Sequence, residues 1–199
     1  MITFWYEFAS TYSYLSAMRI DALAEAKGVE VEWKPFLLGP IFAAQGWNTS
    51  PFNIYPAKGQ YMWRDMERRA AKYGIPIKRP VTSDGGWPRS SVKAARLALV
   101  GLNEGWGQEF SRLVYIGEFS DHADITDEEI LSNWIRQAGG DPLHAFKTIQ
   151  SDALKGQLRQ NTEDAISAGV FGAPSFTVGE ELFWGDDRLE DALDLAASH

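Results

Sequence analysis

Hydroxyl side chains are concentrated in the segment FASTYSYL, residues 8–15, which follows the first hydrophobic run of the chain. Ser10 is predicted to lie at the carboxyl end of a strand and directly before a helix. Ligands of open α/β sheets bind at this edge, and the start of a helix favours an anion. A hydrogen bond from Ser10 could therefore hold an anionic thiolate and lower its pKa. The alternative is that Ser10, Thr11 or Ser13 only caps the helix.

Ser10 is not predicted to be a nucleophile, because a serine nucleophile needs a positioned base. The chain has no G-x-S-x-G motif, and its three histidines, His122, His144 and His199, are scattered. They show no ligand spacing, so no metal site is expected. The chain also has no cysteine, which excludes disulfides, thiolate zinc sites and thiol chemistry by the protein itself.

A second candidate site is the segment GAPSF, residues 172–176, which precedes a late predicted strand. Pro174 is compatible with the first position of a strand, where no backbone donor is required. X-Pro bonds are where cis peptides occur. A cis Ala173–Pro174 bond would expose the Ala173 N–H and C=O to a peptide-like ligand, and the alternative is an ordinary turn proline.

Three charged residues lie beside predicted helix starts. Asp186 and Asp187 precede the C-terminal helix, and one carboxylate would be enough to cap it. The second could bind a ligand ammonium group. Lys58 lies near the start of another predicted helix, where the helix dipole disfavours a cation. Lys58 could therefore bind an anion, and the alternative is a solvated surface lysine.

The elements that must position these residues follow from periodicity. A strand at residues 2–8, a helix at about 12–26 and a strand from residue 29 form a βαβ unit with parallel strands. A hairpin at residues 175–184 and a helix at 188–197 end the chain. The predicted helices between these parts cover about 57–73, 90–103 and 108–119, a segment after the capping box Thr126–Glu129, a segment opened by Asp141 and Pro142, and a last helix that ends near Gly169.

This layout is the thioredoxin-like arrangement, an α/β fold in which a mixed sheet carries an inserted all-helical domain. The predicted thioredoxin-like domain comprises residues 1–40 and 170–199. The predicted helical insertion comprises residues 41–169.

Charge and hydropathy argue against nucleic-acid binding and against a membrane span. The net charge is −8, from 19 basic and 27 acidic residues, and no long basic block provides a nucleic-acid footprint. No apolar run approaches the roughly 18 residues of a membrane span. The first residues, MITFWYEF, lack the basic n-region of a secretory signal, so a cytoplasmic location is expected.

Four segments in the same order resemble the 2-hydroxychromene-2-carboxylate isomerase family, relatives of the kappa-class glutathione transferases. These segments are FASTYSYL, NTSPFNIYPAKGQYMWRDMER, FGAPSF and FWGDDRL. The family pattern Ser-Pro-[Tyr/Phe]-Ser-[Tyr/Trp]-Leu begins here at Ser10, with Thr11 in place of proline. The related DsbA-type oxidoreductases have Cys-x-x-Cys at this turn. Serine at both positions removes redox exchange, so the attacking thiol would have to come from glutathione.

The resemblance implies roles for the residues singled out above. Ser10 would be the catalytic residue, and the main chain of Ala173, before the cis-proline Pro174, would pair with the cysteinyl part of glutathione. Asp186 and Asp187 would hold the γ-glutamyl end. The implied reaction is thiolate addition to a conjugated carbon, ring opening, bond rotation and loss of the thiol.

The resemblance also implies two further contacts and a homodimer. Asn48 matches a family asparagine, with Trp47 as an extra residue beside it, and Lys58 matches a family lysine near the acidic groups of the ligand. Lys58 or Arg89 could meet a substrate carboxylate. Residues that could line an apolar substrate cavity are Trp47, Phe52, Tyr61, Trp63 and Trp87.

Three functions remain open from the sequence. The first is a glutathione-dependent isomerase of 2-hydroxychromene-2-carboxylate-type intermediates. The second is a kappa-like glutathione transferase or peroxidase. The third is a thioredoxin-like binding module without turnover.

Overall fold

The structure is a computed structural model that describes residues 1–79 and 88–198. Within these residues, strands from both ends of the chain form one four-stranded sheet in the order β2-β1-β3-β4. β2 is parallel to β1, whereas β3 is antiparallel to β1 and β4 is antiparallel to β3. The predicted mixed sheet is therefore confirmed. The strands are β1 (Ile2–Tyr6), β2 (Val31–Pro35), β3 (Ser175–Val178) and β4 (Glu181–Trp184).

Both faces of the central strand β1 are covered. Phe4 lies on one face, opposite Trp33 of β2 and Phe176 of β3, and stacks on the Phe176 ring with centroids 5.4 Å apart. Trp5 points to the other face, where it packs against Phe36 in a smaller buried cluster. Strands that are covered on both faces bury every position, which explains why the alternation predicted for residues 2–8 does not separate buried from exposed side chains.

Two helices replace the single helix predicted at residues 12–26. These are α1 (Thr11–Ala17) and α2 (Ile20–Lys27). Arg19 separates them, with the non-helical φ of −121°. Gly28 ends α2 in the left-handed region at φ +65°, as the sequence predicts.

The long segment between β2 and β3 is mostly helical. Its helices are α3 (Leu38–Ala44), α4 (Pro51–Ile54), α5 (Pro56–Tyr73), α6 (Val92–Glu104), α7 (Gly107–Ile116), a π-helix (Gly117–Asp121), α8 (Glu128–Gln137), α9 (Pro142–Thr148) and α10 (Asp152–Ser167). Among the described residues, no helix is both long and apolar enough to pass through a membrane.

Helix caps differ from the prediction at two places. The N-cap of α8 is Asp127, whose carboxylate accepts hydrogen bonds from the N–H groups of Glu129 and Ile130, and not Thr126. The C-terminal helix α11 (Leu189–Ala197) follows a 3-10 turn (Asp186–Arg188) and has no side-chain cap. The prediction that Asp186 or Asp187 caps α11 is therefore wrong.

One continuous core joins the sheet to the helical segment. The same buried cluster contains Phe4 and Phe176 of the sheet, together with Leu97 of α6, Phe110 of α7 and Leu131 of α8. The division of the chain at residues 41 and 169 stays a prediction.

The tight turn between α6 and α7 allows a stability test. A Cβ on Gly107 would lie 2.2 Å from the backbone nitrogen of Leu102, and a backbone atom cannot move aside. We expect Gly107→Ala to lower the free energy of unfolding by about 1–3 kcal/mol.

Gly156 is the matched control, because it lies inside α10 with nothing within 4 Å of its added Cβ. Gly156→Ala should raise the free energy of unfolding by about 0.5–1 kcal/mol. Urea unfolding of both variants measures the difference. Equal effects of the two substitutions would contradict the close packing at Gly107.

Candidate functional site

A cavity of about 1330 Å³ opens beside the start of α1. Its wall is formed by the turn after β1, by α3 and the loop after it, and by the start of α5. The turn before β3 and the turn after β4 also contribute. The predicted site residues in this wall are Ser10, Asn48, Lys58, Ala173, Asp186 and Asp187. Segments distant in sequence therefore meet around one space.

Ser10 is both a helix cap and a cavity residue. Its Oγ accepts a hydrogen bond from the N–H of Ser13 at 3.2 Å, which makes Ser10 the N-cap of α1. Of the three capping candidates, Ser10, Thr11 and Ser13, Ser10 is the one that caps the helix. The Ser10 hydroxyl also donates to the carbonyl oxygen of Ala173 at 2.8 Å, so it links the start of α1 to the Ala173–Pro174 turn.

The Ala173–Pro174 peptide bond is cis, which agrees with the possibility inferred from the sequence. Pro174 is buried, and its carbonyl accepts a hydrogen bond from the N–H of Gly185 at 3.0 Å. Ser175 donates to the Gly172 carbonyl at 2.9 Å. These bonds fix the turn that presents Ala173 to Ser10.

Asp186 is enclosed and already paired. It is 2% exposed, and its carboxylate accepts two hydrogen bonds from the Arg69 guanidinium, at 2.9 and 2.7 Å. Arg19 lies 3.9 Å away. Burial raises the pKa of Asp186, and the two arginines offset part of that rise. Its charge is therefore engaged within the protein.

Asp187 has the opposite surroundings. Its side chain is 50% exposed and pairs with Arg188 at 3.1 Å. Gly185 lies close by at φ +109°, and a Cβ there would stand 2.5 Å from an Asp187 oxygen, so the turn requires glycine. Of the two neighbouring carboxylates, Asp187 is the one that a ligand cation can reach.

Lys58 and Asn48 are exposed residues of the cavity wall. Lys58 lies in the first turn of α5, and its ammonium group is 4.6 Å from the centre of the Tyr55 ring. Cation–π contact with the ring offsets the unfavourable position at a helix start. Asn48 belongs to the loop between α3 and α4.

The predicted aromatic lining is correct in part. Trp47, Phe52 and Tyr61 line the cavity. Trp63 is 4% exposed and packs in the core, so its prediction as a lining residue is wrong. Trp87 lies outside the described residues. Arg89 lines the cavity and forms an ion pair with Asp124 at 2.9 Å.

Two buried glutamates beside the cavity were missed by the sequence analysis. Glu7 lines the cavity and is 5% exposed. Burial raises its pKa to about 7, although hydrogen bonding by Ser91 and by the Ala9 backbone lowers it. Glu118 is 3% exposed, and burial together with the like charge of Glu7 raises its pKa well above the usual range. A carboxylate within the apolar runs FWYEF and VYIGEF is the signal that could have identified them.

Asp65 and Arg69 of α5 were also missed. Both line the cavity, and Asp65 accepts a hydrogen bond from the Tyr12 hydroxyl at 2.9 Å. Among the described residues, no group of three or more His, Asp or Glu side chains could hold a metal ion. The site therefore offers a hydroxyl, a main-chain carbonyl, a half-exposed carboxylate and an apolar wall.

Comparison with known proteins agrees with this geometry. A family model described as DSBA-like thioredoxin domain matches residues 1–196. A 2-hydroxychromene-2-carboxylate isomerase from Sphingobium xenophagum is 30% identical over 95% of this chain and 94% of its own. Glutathione S-transferase kappa 1 from Rattus norvegicus is 24% identical over 96% of this chain and 88% of its own. A solved 2-hydroxychromene-2-carboxylate isomerase structure has a TM-score of 0.85 at 25% identity, covering 99% of this chain and 94% of that one.

The chain therefore belongs to the DSBA-like thioredoxin domain family. Within that family it is a 2-hydroxychromene-2-carboxylate isomerase-like enzyme. The fold class and the resemblance drawn from the sequence are both confirmed.

The two buried glutamates predict a pH effect on stability. Their pKa values are higher in the folded chain than in the unfolded one, so the folded state binds more protons. The stability that Glu7 contributes is present below about pH 4.5 and is lost as the pH rises through about 7. The loss from Glu118 extends to higher pH, because its pKa is raised well above the usual range. Glu118→Gln should reduce this loss by about 1–3 kcal/mol between about pH 5 and pH 8.

Urea unfolding across this pH range measures the effect. Glu163→Gln is the control, because Glu163 is exposed on α10. It should leave the pH dependence unchanged. Parallel curves for Glu118→Gln and the unmodified protein would show that Glu118 does not stay protonated on folding.

Proposed function

We propose that this enzyme is a glutathione-dependent isomerase that acts on 2-hydroxychromene-2-carboxylate-type intermediates of aromatic catabolism. The observation that carries the proposal is the contact between the Ser10 hydroxyl and the Ala173 carbonyl at the cavity wall. The names of the relatives support the reaction and the use of glutathione, since one relative is an isomerase and another is a glutathione transferase. A cytoplasmic location and a homodimer stay predictions.

The Ser10 hydroxyl can donate one hydrogen bond. In the structure, the Ala173 carbonyl oxygen accepts this hydrogen bond. A cysteinyl group carries a backbone N–H close to its sulfur. If that N–H donates to the Ala173 carbonyl, Ser10 can turn its proton to the sulfur without leaving the carbonyl unpaired. The N–H of Ser13 continues to hold the Ser10 oxygen in place. Hydrogen bonding to the anionic form then lowers the pKa of the thiol.

Asp187 is the proposed partner of the γ-glutamyl ammonium group. Asp186 is less suitable, because it is buried and its charge is neutralised by Arg69. Asp186 instead anchors the turn that carries Asp187. Pro174 acts through Ala173, whose carbonyl it aims at Ser10.

The remaining cavity residues fit an anionic aromatic substrate. Lys58 and Asn48 are exposed on the wall near Phe52 and could bind a carboxylate of glutathione or of the substrate. Trp47, Phe52 and Tyr61 offer an apolar surface for an aromatic ring. Bound glutathione would supply a thiolate that adds to a conjugated carbon, so that the ring opens and a bond rotates before the thiol leaves.

An assay with and without glutathione tests this function. A hydroxychromene carboxylate should convert to the open benzylidenepyruvate isomer only when glutathione is present, which its absorbance spectrum reports. The second candidate is a kappa-like transferase or peroxidase, which the kappa relative favours. Turnover of chlorodinitrobenzene or cumene hydroperoxide, without isomerisation, would identify that activity instead.

Ser10→Ala should reduce kcat by about 10²-fold, because a donor to a developing or bound anion is removed. The fraction of bound glutathione present as thiolate, read from its ultraviolet absorbance against pH, should fall in parallel. An unchanged apparent thiol pKa would remove the proposed role of Ser10.

The control separates this effect from the loss of a helix cap. Ser151 is the N-cap of α10, accepting from the N–H of Leu154 at 3.3 Å, and is not a cavity residue. Both Ser10→Ala and Ser151→Ala should lower stability by about 1 kcal/mol. The two variants should differ in thiolate formation and turnover.

Asp187→Asn should raise the Kd of glutathione by about 5- to 10-fold, since one charge-assisted hydrogen bond to the ammonium group is lost. Asp191→Asn is the matched control, because Asp191 also pairs with Arg188, at 2.8 Å, and does not line the cavity. Calorimetric titration measures both. Equal Kd values would assign the γ-glutamyl end to another residue.

A further inference from the structure

Hydrogen bonds fix the backbone of Glu7 in the turn between β1 and α1. The Glu7 carbonyl accepts a hydrogen bond from the N–H of Ser10 at 3.0 Å and another from the Tyr115 hydroxyl at 2.9 Å. Glu7 is 5% exposed and lines the cavity, three residues before Ser10 in sequence. Its carboxyl group is hydrogen-bonded by Ser91, which also lines the cavity.

Glu118 lies in the π-helix that continues α7, close enough to Glu7 for their charges to interact. Neither oxygen of its carboxyl group has a hydrogen-bond partner among the described residues. The π-helix is held in position by close packing, since a Cβ on Gly117 would come within 2.1 Å of the Trp134 ring. A buried carboxylate without any partner is strongly disfavoured, so Glu118 keeps its proton at neutral pH.

The charges around the two glutamates leave Glu7 as the group that titrates. Arg89 and Asp124 lie near Glu118, but they form an ion pair with each other, so their charges largely cancel. Tyr115 of α7 is itself buried, and its pKa is raised by burial. Ser91 is the hydrogen-bonding neighbour of Glu7 from the start of α6.

The other acidic groups of the cavity are engaged elsewhere. Asp186 is paired with Arg69, Asp187 with Arg188, and Asp65 accepts from Tyr12. Of the described residues that line the cavity, none is a histidine. A thiol that binds beside Ser10 must lose its proton, and Glu7 is the cavity carboxyl that has neither a cationic partner nor a tyrosine donor among the described residues.

We propose that Glu7 is the proton-transfer residue of this enzyme, taking the thiol proton when glutathione binds and returning it when the thiol leaves. This proposal rests on the proposed function. On binding, the S–H bond breaks, its electron pair stays on sulfur, and an O–H bond forms on Glu7. On release the same proton moves back, so neither a redox partner nor a net proton is required.

Glu118 is an uncharged neighbour of Glu7 in this scheme. Because the buried Glu118 carboxyl stays neutral, burial is what favours the protonated form of Glu7. The pair therefore retains a borrowed proton inside the protein and does not pass it to solvent.

A proton count on glutathione binding tests the proposal. Calorimetry at about pH 8, in buffers with different ionisation enthalpies, gives the protons released, and ultraviolet absorbance gives the thiolate formed. The unmodified enzyme should release close to zero protons for each thiolate. Glu7→Gln, which keeps the side-chain shape, should release about one, or should form no thiolate because nothing accepts the proton.

A control variant and two further readouts sharpen the result. Glu163→Gln, an exposed site on α10, should match the unmodified enzyme in its proton count. The acid limb near pH 7 in the profile of kcat/KM should disappear in Glu7→Gln. Infrared difference spectra should show a protonated carboxyl band on glutathione binding in the unmodified enzyme and not in Glu7→Gln.

The outcomes separate this proposal from the proposed function. If the unmodified enzyme forms thiolate and releases one proton for each, Glu7 is not the acceptor, although glutathione use stands. An equal proton count for the unmodified enzyme and for Glu7→Gln would also show that Glu7 is not the acceptor. If the unmodified enzyme binds no glutathione or forms no thiolate, the proposed function fails, and the role of Glu7 fails with it.

Discussion

The site depends on one hydrogen bond, from the Ser10 hydroxyl to the Ala173 carbonyl, between residues 163 positions apart. Ser10 follows β1 in sequence, and Ala173 precedes β3. These two strands pair with Phe4 opposite Phe176. A slip of one residue in that pairing would turn every side chain of a strand to the other face. The buried aromatic contacts of Phe4 hold the register, and so they keep the hydroxyl against the carbonyl.

The helical segment provides the neighbours that set the charge of acidic residues at the site. It brings Arg69 to Asp186, and it places Glu118 within electrostatic range of Glu7 in the cavity wall. Adjacent carboxylates consequently differ in what they can do, because the free energy of a charge depends on burial and on partners more than on residue type. Asp186 is buried and paired with Arg69, whereas its neighbour Asp187 is half-exposed at the cavity wall.

Local sequence patterns predicted most of the secondary-structure elements correctly. The βαβ unit, the late hairpin and most helices follow from periodicity, because periodicity reports which face of an element is buried. The errors have tertiary causes. The first helix breaks at Arg19, whose guanidinium stacks on Tyr73 of α5, and Trp63 faces the core because α5 packs with that side inward.

The sequence by itself determined the absence of protein thiols, the serine at the strand–helix junction and the Ala-Pro turn, since each is a matter of residue type and local order. Only the tertiary structure decided that Asp186 is neutralised and that Glu7 and Glu118 share a buried environment. Burial and charge pairing are set by segments far apart in the chain. No local pattern contains the distance between them, so these properties exist only after the helices have packed on the sheet.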